Sequence, residues 1–507
     1  MLDWSQALTE ATEITEGWTR ELGPGGAIVL FDRDGIQEAL GGGLAVIEHG
    51  LPFTPDTTNR LASISKHILA TLLLLEGVPL DAPLGNWLED LPEALAQVQL
   101  GRALDMSGAL PDMMEVLWQQ GSPFTASLGR DEIGAVLRRL PGLNAAPGTE
   151  MAYSNTGWRL GQSILESRTG VAYRASVAGL VGPLGLPIRF VNDESEVVPG
   201  LATGYWRGET GWRRGRYGPH FSASGGMAGS AAGLAGWASA LLAGRAPLAG
   251  MLEKLTAPRH FVDGSESAYR LGLVSSRLGD VALVGHGGSL PGYRNHVLMA
   301  PALGVGVVVL TNREEDALWP ALRVLAALLG QALPAPVQGA PLGLFAEDEG
   351  LFWAEFTPDA ISVMGGYERL VSDGAGGMRS LPAYLDIRLR HAADDVVEGM
   401  IGGMRRRLTR VPPTPLDASL AGTWRERSFG VEMAIRADGT ARMPWAGGVG
   451  VESTLTPLPG GRALADLMHG PWRHRPCLCL QADGSLKLAS HRARVLQFDR
   501  IAKGATT

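Results

Sequence analysis

The sequence predicts a multidomain α/β plus all-β protein: one antiparallel sheet with helices packed on it, then two small all-β units. Three observations carry this expectation. The 507 residues exceed what a single hydrophobic core serves. Two proline-rich breaks interrupt the chain, Pro334-Ala335-Pro336 running on to Pro341, and Pro412-Pro413-Thr414-Pro415. Proline lacks a backbone donor and fixes φ, so such clusters punctuate structure. Segments before the first break mix strand and helix patterns, whereas those after it are short and strand-like. The expected domains are 1–333, 342–411 and 416–507.

Within the first domain, residues 27–31 and 44–47 read as short apolar strands flanking a turn at Asp34-Gly35. Residues 63–75 read as a helix with Ile64, Ile68, Leu72 and Leu75 on or near one face. Further helices are expected at 131–140 and 156–167. Residues 281–284, 296–299 and 305–310 read as strands, and 317–333 as a closing apolar helix. Strands at both ends with helices between them fit one antiparallel sheet carrying helices. Beyond the first break, short segments such as 352–356, 360–364, 384–389, 431–435, 462–464, 478–480 and 486–488 alternate in character. The turns Asp373-Gly374, Asp438-Gly439 and Asp483-Gly484 separate several of them, which implies small β-barrels or sandwiches.

Composition excludes several functions. The net charge is −8 with no basic tail, which argues against nucleic acid as a partner. Arg405-Arg406-Arg407 is the one basic run, read as a solvated strand end or loop. The longest apolar candidate, 228–244, is Ala/Gly-rich and reads as a buried helix, so no membrane span is expected. Residues 1–17 hold Asp3, Glu10, Glu13 and Glu16 and no basic residue, unlike a secretory signal, so a cytoplasmic location is expected. The two cysteines, Cys477 and Cys479, share one strand face and suit a small core. A zinc site joining them to His469 and His474 is disfavoured, because the spacing matches no familiar ligand pattern.

The strongest chemical signal is Ser63-Ile64-Ser65-Lys66. Residues i and i+3 lie on one helix face, so Ser63 Oγ and Lys66 Nζ can meet. A serine hydroxyl needs a nearby base to become a nucleophile, and a lysine can serve when burial or a cation favours its amine. Only four lysines occur in the chain, which makes this placement informative. The alternative is an ordinary helix start with a serine cap. Tyr153-Ser154-Asn155 stands just ahead of a helix pattern; a phenol can relay a proton and an amide can orient substrate and lysine. A second match, Tyr293-Arg294-Asn295, makes that pattern weak alone. The third signal is Gly285-His286-Gly287-Gly288-Ser289, directly after an apolar strand. Its glycines permit close backbone approach, so substrate could pair along Gly288, and the N–H of Ser289 could complete an oxyanion hole with that of Ser63. A hairpin with a structural histidine is the alternative.

Together these three elements resemble the motif triplet of serine β-lactamases and penicillin-binding proteins, namely S-x-x-K, then Y-x-N, then a strand K-T-G or H-T-G. The resemblance implies a β-lactamase-like antiparallel sheet with helices. Here His286 stands for the lysine, and Gly287 carries no hydroxyl to hold a substrate carboxylate. Losing such a contact costs about 1.5–3 kcal/mol, which disfavours a carboxypeptidase or β-lactamase role. Over its whole length the chain resembles the bacterial D-stereospecific D-aminopeptidases, through Pro24-Gly25-Gly26, the three motifs, residues 285–294 and, more faintly, Gly422-Thr423-Trp424 and 462–472.

That resemblance implies two C-terminal antiparallel β-barrels and release of N-terminal D-residues from peptides, amides or esters through an acyl-enzyme on Ser63. Lys66 would take the serine proton, Tyr153 would pass a proton to the leaving amine, Asn155 would bind lysine and substrate amide, and His286 would line the pocket. A loop of the third domain, matching 462–473, would bring its one carboxylate, Asp466, to the substrate ammonium. The resemblance further implies no cofactor or metal, a homodimer, and β-lactams as acylating inhibitors. The competing readings are an esterase or D-amino-acid amidase of the same fold, and a β-lactam-binding sensor that acylates without turnover.

Overall fold

The computed structural model describes residues 2–382, 384–445 and 448–501. It divides into two compact units. The first gathers Met1–Leu80, Trp158–Arg259 and Ala268–Pro334; the second gathers Asp81–Gly157, His260–Ser267 and Ala335–Thr507. Residues 81–157 therefore group with the C-terminal region and not with the sheet, a partition that sequence order does not reveal.

The first unit is built on a six-stranded sheet of β1 (Gly26–Asp32), β2 (Ile36–Gly42), β3 (Val274–Leu278), β4 (Val281–Leu290), β5 (Tyr293–Ala300) and β6 (Val305–Thr311). The order is β3-β4-β5-β6-β1-β2, every pair antiparallel. β6 and nearly all of β1 are buried, which is why 27–31 and 305–310 read as unbroken apolar runs. Helices Trp4–Arg20, Ala231–Ala243 and Leu318–Leu329 pack on this sheet. Asp3 caps the first of these by accepting from the Gln6 N–H at 3.0 Å, and Ala7, Ala11, Ile14 and Trp18 form its buried stripe.

The partner of β1 after the Asp34-Gly35 turn is β2, not the expected 44–47 segment. Its Gln37 and Glu38 disguised it, since an outer strand with one covered face need not be apolar. Leu44–Val46 instead pairs with Leu51–Pro52.

The second unit contains two closed eight-stranded antiparallel barrels, which decides between barrels and sandwiches. One runs from Gly343–Ala346 to Met404–Arg410, the other from Gly422–Glu426 to Leu496–Ile501. Closure leaves no exposed sheet edge. The three Asp-Gly turns place Gly374, Gly439 and Gly484 at φ of +80°, +86° and +81°, where a Cβ would be strained. In the second barrel, a hairpin of Leu467–His469 and Trp472–His474 is inserted between Arg462–Ala465 and Cys477–Leu480.

The arginine run is not a strand end or loop but the body of strand Met404–Arg410. Alternation turns Arg405 and Arg407 out towards Glu398 and Arg406 inward, onto Glu347 at 2.9 Å and Glu150 at 3.3 Å. Both cysteines are buried on one barrel strand. Among the described residues no helix is long and apolar enough to cross a membrane.

Candidate active site

Ser63 lies in a single 3₁₀ turn, Ala62–Ser65, and Lys66 opens the helix Lys66–Leu75. A 3₁₀ turn eclipses i and i+3, so the sequence spacing still brings the two side chains together. Lys66 Nζ donates to Ser63 Oγ at 3.0 Å and to the Ser224 carbonyl at 2.8 Å. Lys66 is buried, while Ser63 is partly open to solvent. Ala62, directly before the nucleophile, has φ +50°, a strained conformation for a residue with a Cβ. The turn is held from both sides: Ser65 Oγ donates to the Ala62 carbonyl at 2.6 Å and accepts from the Met227 N–H at 3.0 Å.

β4 runs through the glycine motif instead of stopping before it. β3 pairs with it only from Leu278↔Val281 to Val274↔Gly285, so from His286 onward β4 has its partner strand in β5 alone. A Cβ on Gly288 would sit 2.2 Å from the Leu61 carbonyl oxygen. Only glycine lets this strand lie so close to the nucleophile turn. Ser289 is exposed, and its hydroxyl accepts from Arg294.

His286 is 2% exposed, with Nδ1 2.6 Å from the Gly287 carbonyl and Nε2 2.8 Å from the Tyr269 hydroxyl. A carbonyl only accepts, so Nδ1 carries the proton and Nε2 accepts from Tyr269. Burial holds the imidazole well below its usual pKa. Ser224 and Tyr269 were missed from the sequence. Neither sits in a recognisable pattern, although the small-residue run 222–226 marks a tight segment. His67, next to the lysine, accepts from Trp237 Nε1 at 2.8 Å and is structural.

Tyr153 and Asn155 belong to the second unit, immediately before helix Thr156–Thr169. Asn155 donates from its backbone N–H and from Nδ2 to Asp112 Oδ2, at 2.7 and 2.9 Å. Asp112 Oδ1 meanwhile caps helix Met113–Gln119 through the Met114 and Glu115 N–H groups. The Tyr153 ring is buried against Tyr384, centroids 4.9 Å apart, and lies under the Arg492 guanidinium at 4.7 Å. The competing match is structural: Asn295 accepts from Asn59 Nδ2 at 2.9 Å and donates to the Arg60 carbonyl at 2.7 Å.

Asp466 stands at the base of the inserted hairpin and accepts from Arg473 Nε at 2.9 Å. That hydrogen bond holds its carboxyl below the usual range. The hairpin packs on residues of the same unit, with Trp472 5.2 Å from Phe124 and His469 stacked 6.0 Å from Trp118. His474, considered above as a metal ligand, places Nε2 2.6 Å from Glu115 Oε1. Burial alone would raise Glu115, but the interaction with His474 outweighs it and draws the carboxyl down to about 2.

Comparison with known proteins places this geometry. A D-aminopeptidase of Gluconobacter oxydans (strain 621H) is 30% identical over 313 residues, covering 61% of this chain and 59% of the relative. A D-aminopeptidase of Cereibacter sphaeroides is 25% identical over 317 residues, 62% of this chain and 61% of the relative. The match thus spans about three fifths of these relatives' length. Among solved structures, the D-amino acid amidase of Ochrobactrum anthropi SV3 in complex with L-phenylalanine aligns with TM-score 0.53 and 25% identity, over 64% of this chain and 99% of its own. The octameric penicillin-binding protein homologue of Pyrococcus abyssi, at 18% identity, aligns over 97% of this chain and 99% of its own with TM-score 0.57, which bears on the fold alone. The family model described as Beta-lactamase matches residues 11–331, and on that match, over well over half its length, the chain belongs to the beta-lactamase family.

Proposed function

We propose that the protein is a serine exopeptidase that releases N-terminal D-amino acids from peptides, amides or esters through an acyl-enzyme on Ser63. The observation that carries this reading is the 3.0 Å hydrogen bond between Ser63 Oγ and the buried Lys66 Nζ. In the proposed reaction Ser63 Oγ adds to the substrate carbonyl carbon as its proton passes to Lys66. The tetrahedral species then expels the amine, which takes a proton from Tyr153 as the proton held on Lys66 passes back to the phenolate oxygen. Water cleaves the resulting ester, releasing the amino acid and restoring the serine. Asn155 orients the substrate amide, while the Ser63 and Ser289 N–H groups receive the oxyanion. The names of the curated relatives support the D-stereospecific part of the reading.

A panel of D- and L-amino-acid p-nitroanilides, assayed with wild type and Ser63→Ala, tests it. Turnover of D-substrates that disappears in Ser63→Ala is expected. Retention of more than about a tenth of wild-type activity in that variant would remove Ser63 from the mechanism.

Recognition of the free amine is assigned to Asp466. Asp466→Asn is then expected to raise KM about tenfold for free-amine substrates while sparing N-acetylated esters. A D-amino-acid amidase or esterase of the same fold is the second reading. One observation favours it: Asp466 is already bonded to Arg473, so an ammonium would have to compete with that arginine. An unchanged ratio of free to acetylated substrates in Asp466→Asn selects the second reading.

A further inference from the structure

We propose that Arg492, on the turn 490–494 of the second barrel, is the positioning residue for the Tyr153–Asn155 motif and holds the Tyr153 phenol for proton transfer to the leaving amine. The proposal rests on the serine-hydrolase reading above. One residue reaches both members of the motif by two routes. Its guanidinium lies 4.7 Å from the Tyr153 ring centroid and 5.9 Å from that of Tyr384, which packs against Tyr153. Its backbone carbonyl accepts from the Asp112 N–H at 2.9 Å and from Asn144 Nδ2 at 2.9 Å. Asp112 is the residue whose carboxylate grips Asn155.

The turn is itself clamped. Arg494 N–H donates to Asn144 Oδ1 at 2.8 Å, Gln119 Nε2 to the Ala493 carbonyl at 3.1 Å, and His491 N–H to the Met364 carbonyl of the first barrel at 3.0 Å. Every residue in this arrangement belongs to the second unit.

The chemistry requires an arginine there. A planar cation can sit over one phenol ring while staying close to a second, and the Arg492 guanidinium lies 4.7 Å from the Tyr153 centroid and 5.9 Å from that of Tyr384. Burial works against the charge of Arg492, but the neighbouring carboxylates of Asp112 and Glu115 help offset it, and the guanidinium stays charged. Tyr384, pushed up to about 12 mainly by burial, remains a neutral phenol. A fixed cation beside Tyr153 and a fixed bond to Asn155 set the orientation of both groups before substrate arrives.

The experiment compares two D-alanine substrates in Arg492→Gln and Arg492→Lys. The p-nitroanilide needs a proton for its leaving amine, whereas the thiobenzyl ester expels a thiolate that does not. If Arg492 positions the proton donor, kcat/KM in Arg492→Gln falls at least about 10-fold more for the anilide than for the thioester. Arg492→Lys, which keeps the charge but not the planar fork, recovers part of that difference and still discriminates by about 3-fold. The Lys variant carries the same ratio test if the Gln variant folds poorly, and labelling of Ser63 with a fluorophosphonate confirms an intact nucleophile. Equal losses on both substrates, or a Lys variant no better than Gln, overturn the proposal. Wild-type protein that turns over neither D-substrate overturns the functional reading, and the proposal with it.

Discussion

A lysine hydrogen-bonded to a serine can act as a base or as a fixed charge, and one substitution separates the two. Guanidinium keeps its proton at neutral pH, so Lys66→Arg preserves charge and removes basicity. If Lys66 accepts the Ser63 proton across their 3.0 Å contact, the Arg variant is expected to lose activity as completely as Lys66→Ala. The expected loss is about 10³-fold or more in kcat/KM on a D-amino-acid p-nitroanilide. An active Arg variant would show that only the charge matters. His286 offers no substitute base in this arrangement. Its protonated nitrogen faces a carbonyl, and its other nitrogen is occupied by Tyr269.

At the level of elements, the site depends on how closely β4 lies against the turn Ala62–Ser65. Gly288 and Gly287 are neighbours with different tolerances: a Cβ on Gly288 meets backbone at 2.2 Å, whereas one on Gly287 meets a His296 ring atom at 3.2 Å. Gly288→Ala is therefore expected to cut turnover well over tenfold, with Gly287→Ala much milder, as read by kcat/KM and by the rate of Ser63 labelling. Equal effects would mean that strand–turn proximity does not govern the site. The sequence showed the Ser63–Lys66 pair because i,i+3 contacts are local. It showed β1 and β6 because burial on both faces leaves an apolar run. It hid β2, whose outer position tolerates Gln37 and Glu38, and the helix Trp4–Arg20, whose acidic face masked its stripe. Ser224, Tyr269 and Arg492 were invisible for another reason: each acts through a contact with a residue distant in the chain or outside any motif, and such contacts leave no periodic trace.

Over the whole molecule, buried neutral histidines occur in both units. His67 is held at about 4, His296 at about 3 and His286 well below its usual value, all by burial; His469 at about 4 and His491 at about 3 follow the same cause. A histidine whose folded pKa is depressed stabilises the fold above its unfolded pKa of about 6.5 and loses that contribution as pH falls. At pH 5 the cost is about 2 kcal/mol for each of His67, His296, His469 and His491. The melting temperature is therefore expected to drop steeply between about pH 7 and pH 5, and a flat profile over that range would contradict the neutral assignments. The second unit also predicts the result of truncation. Removing residues 416–507 strips His474 from the buried Glu115 and the Arg492 carbonyl from Asp112. Breaking a buried pair from one side costs about 3–5 kcal/mol, so the truncated protein is expected to lose the helix Met113–Gln119 and with it turnover of every substrate class. A truncated protein that keeps its helical content and gains activity on N-blocked substrates would instead make the last barrel a removable lid.

The turn that holds Asp112 and Asn144 also imposes an order of events on a chain emerging from the ribosome. Arg492 follows Asn144 by 348 positions, and His474 follows Glu115 by 359. At ordinary elongation rates of about 5–20 residues per second, the earlier segment waits on the order of half a minute for its partners. During that interval Glu115 and Asp112 are better left in water than buried, so 81–157 has reason to stay open while the sheet strands of the first unit are still being made. Asp112 and Asn155 are synthesised early, but Tyr153 gains the Arg492 guanidinium, and Asp112 the Arg492 carbonyl, only when the final barrel closes. The Tyr153–Asn155 motif therefore stays without that support until the last barrel has been made.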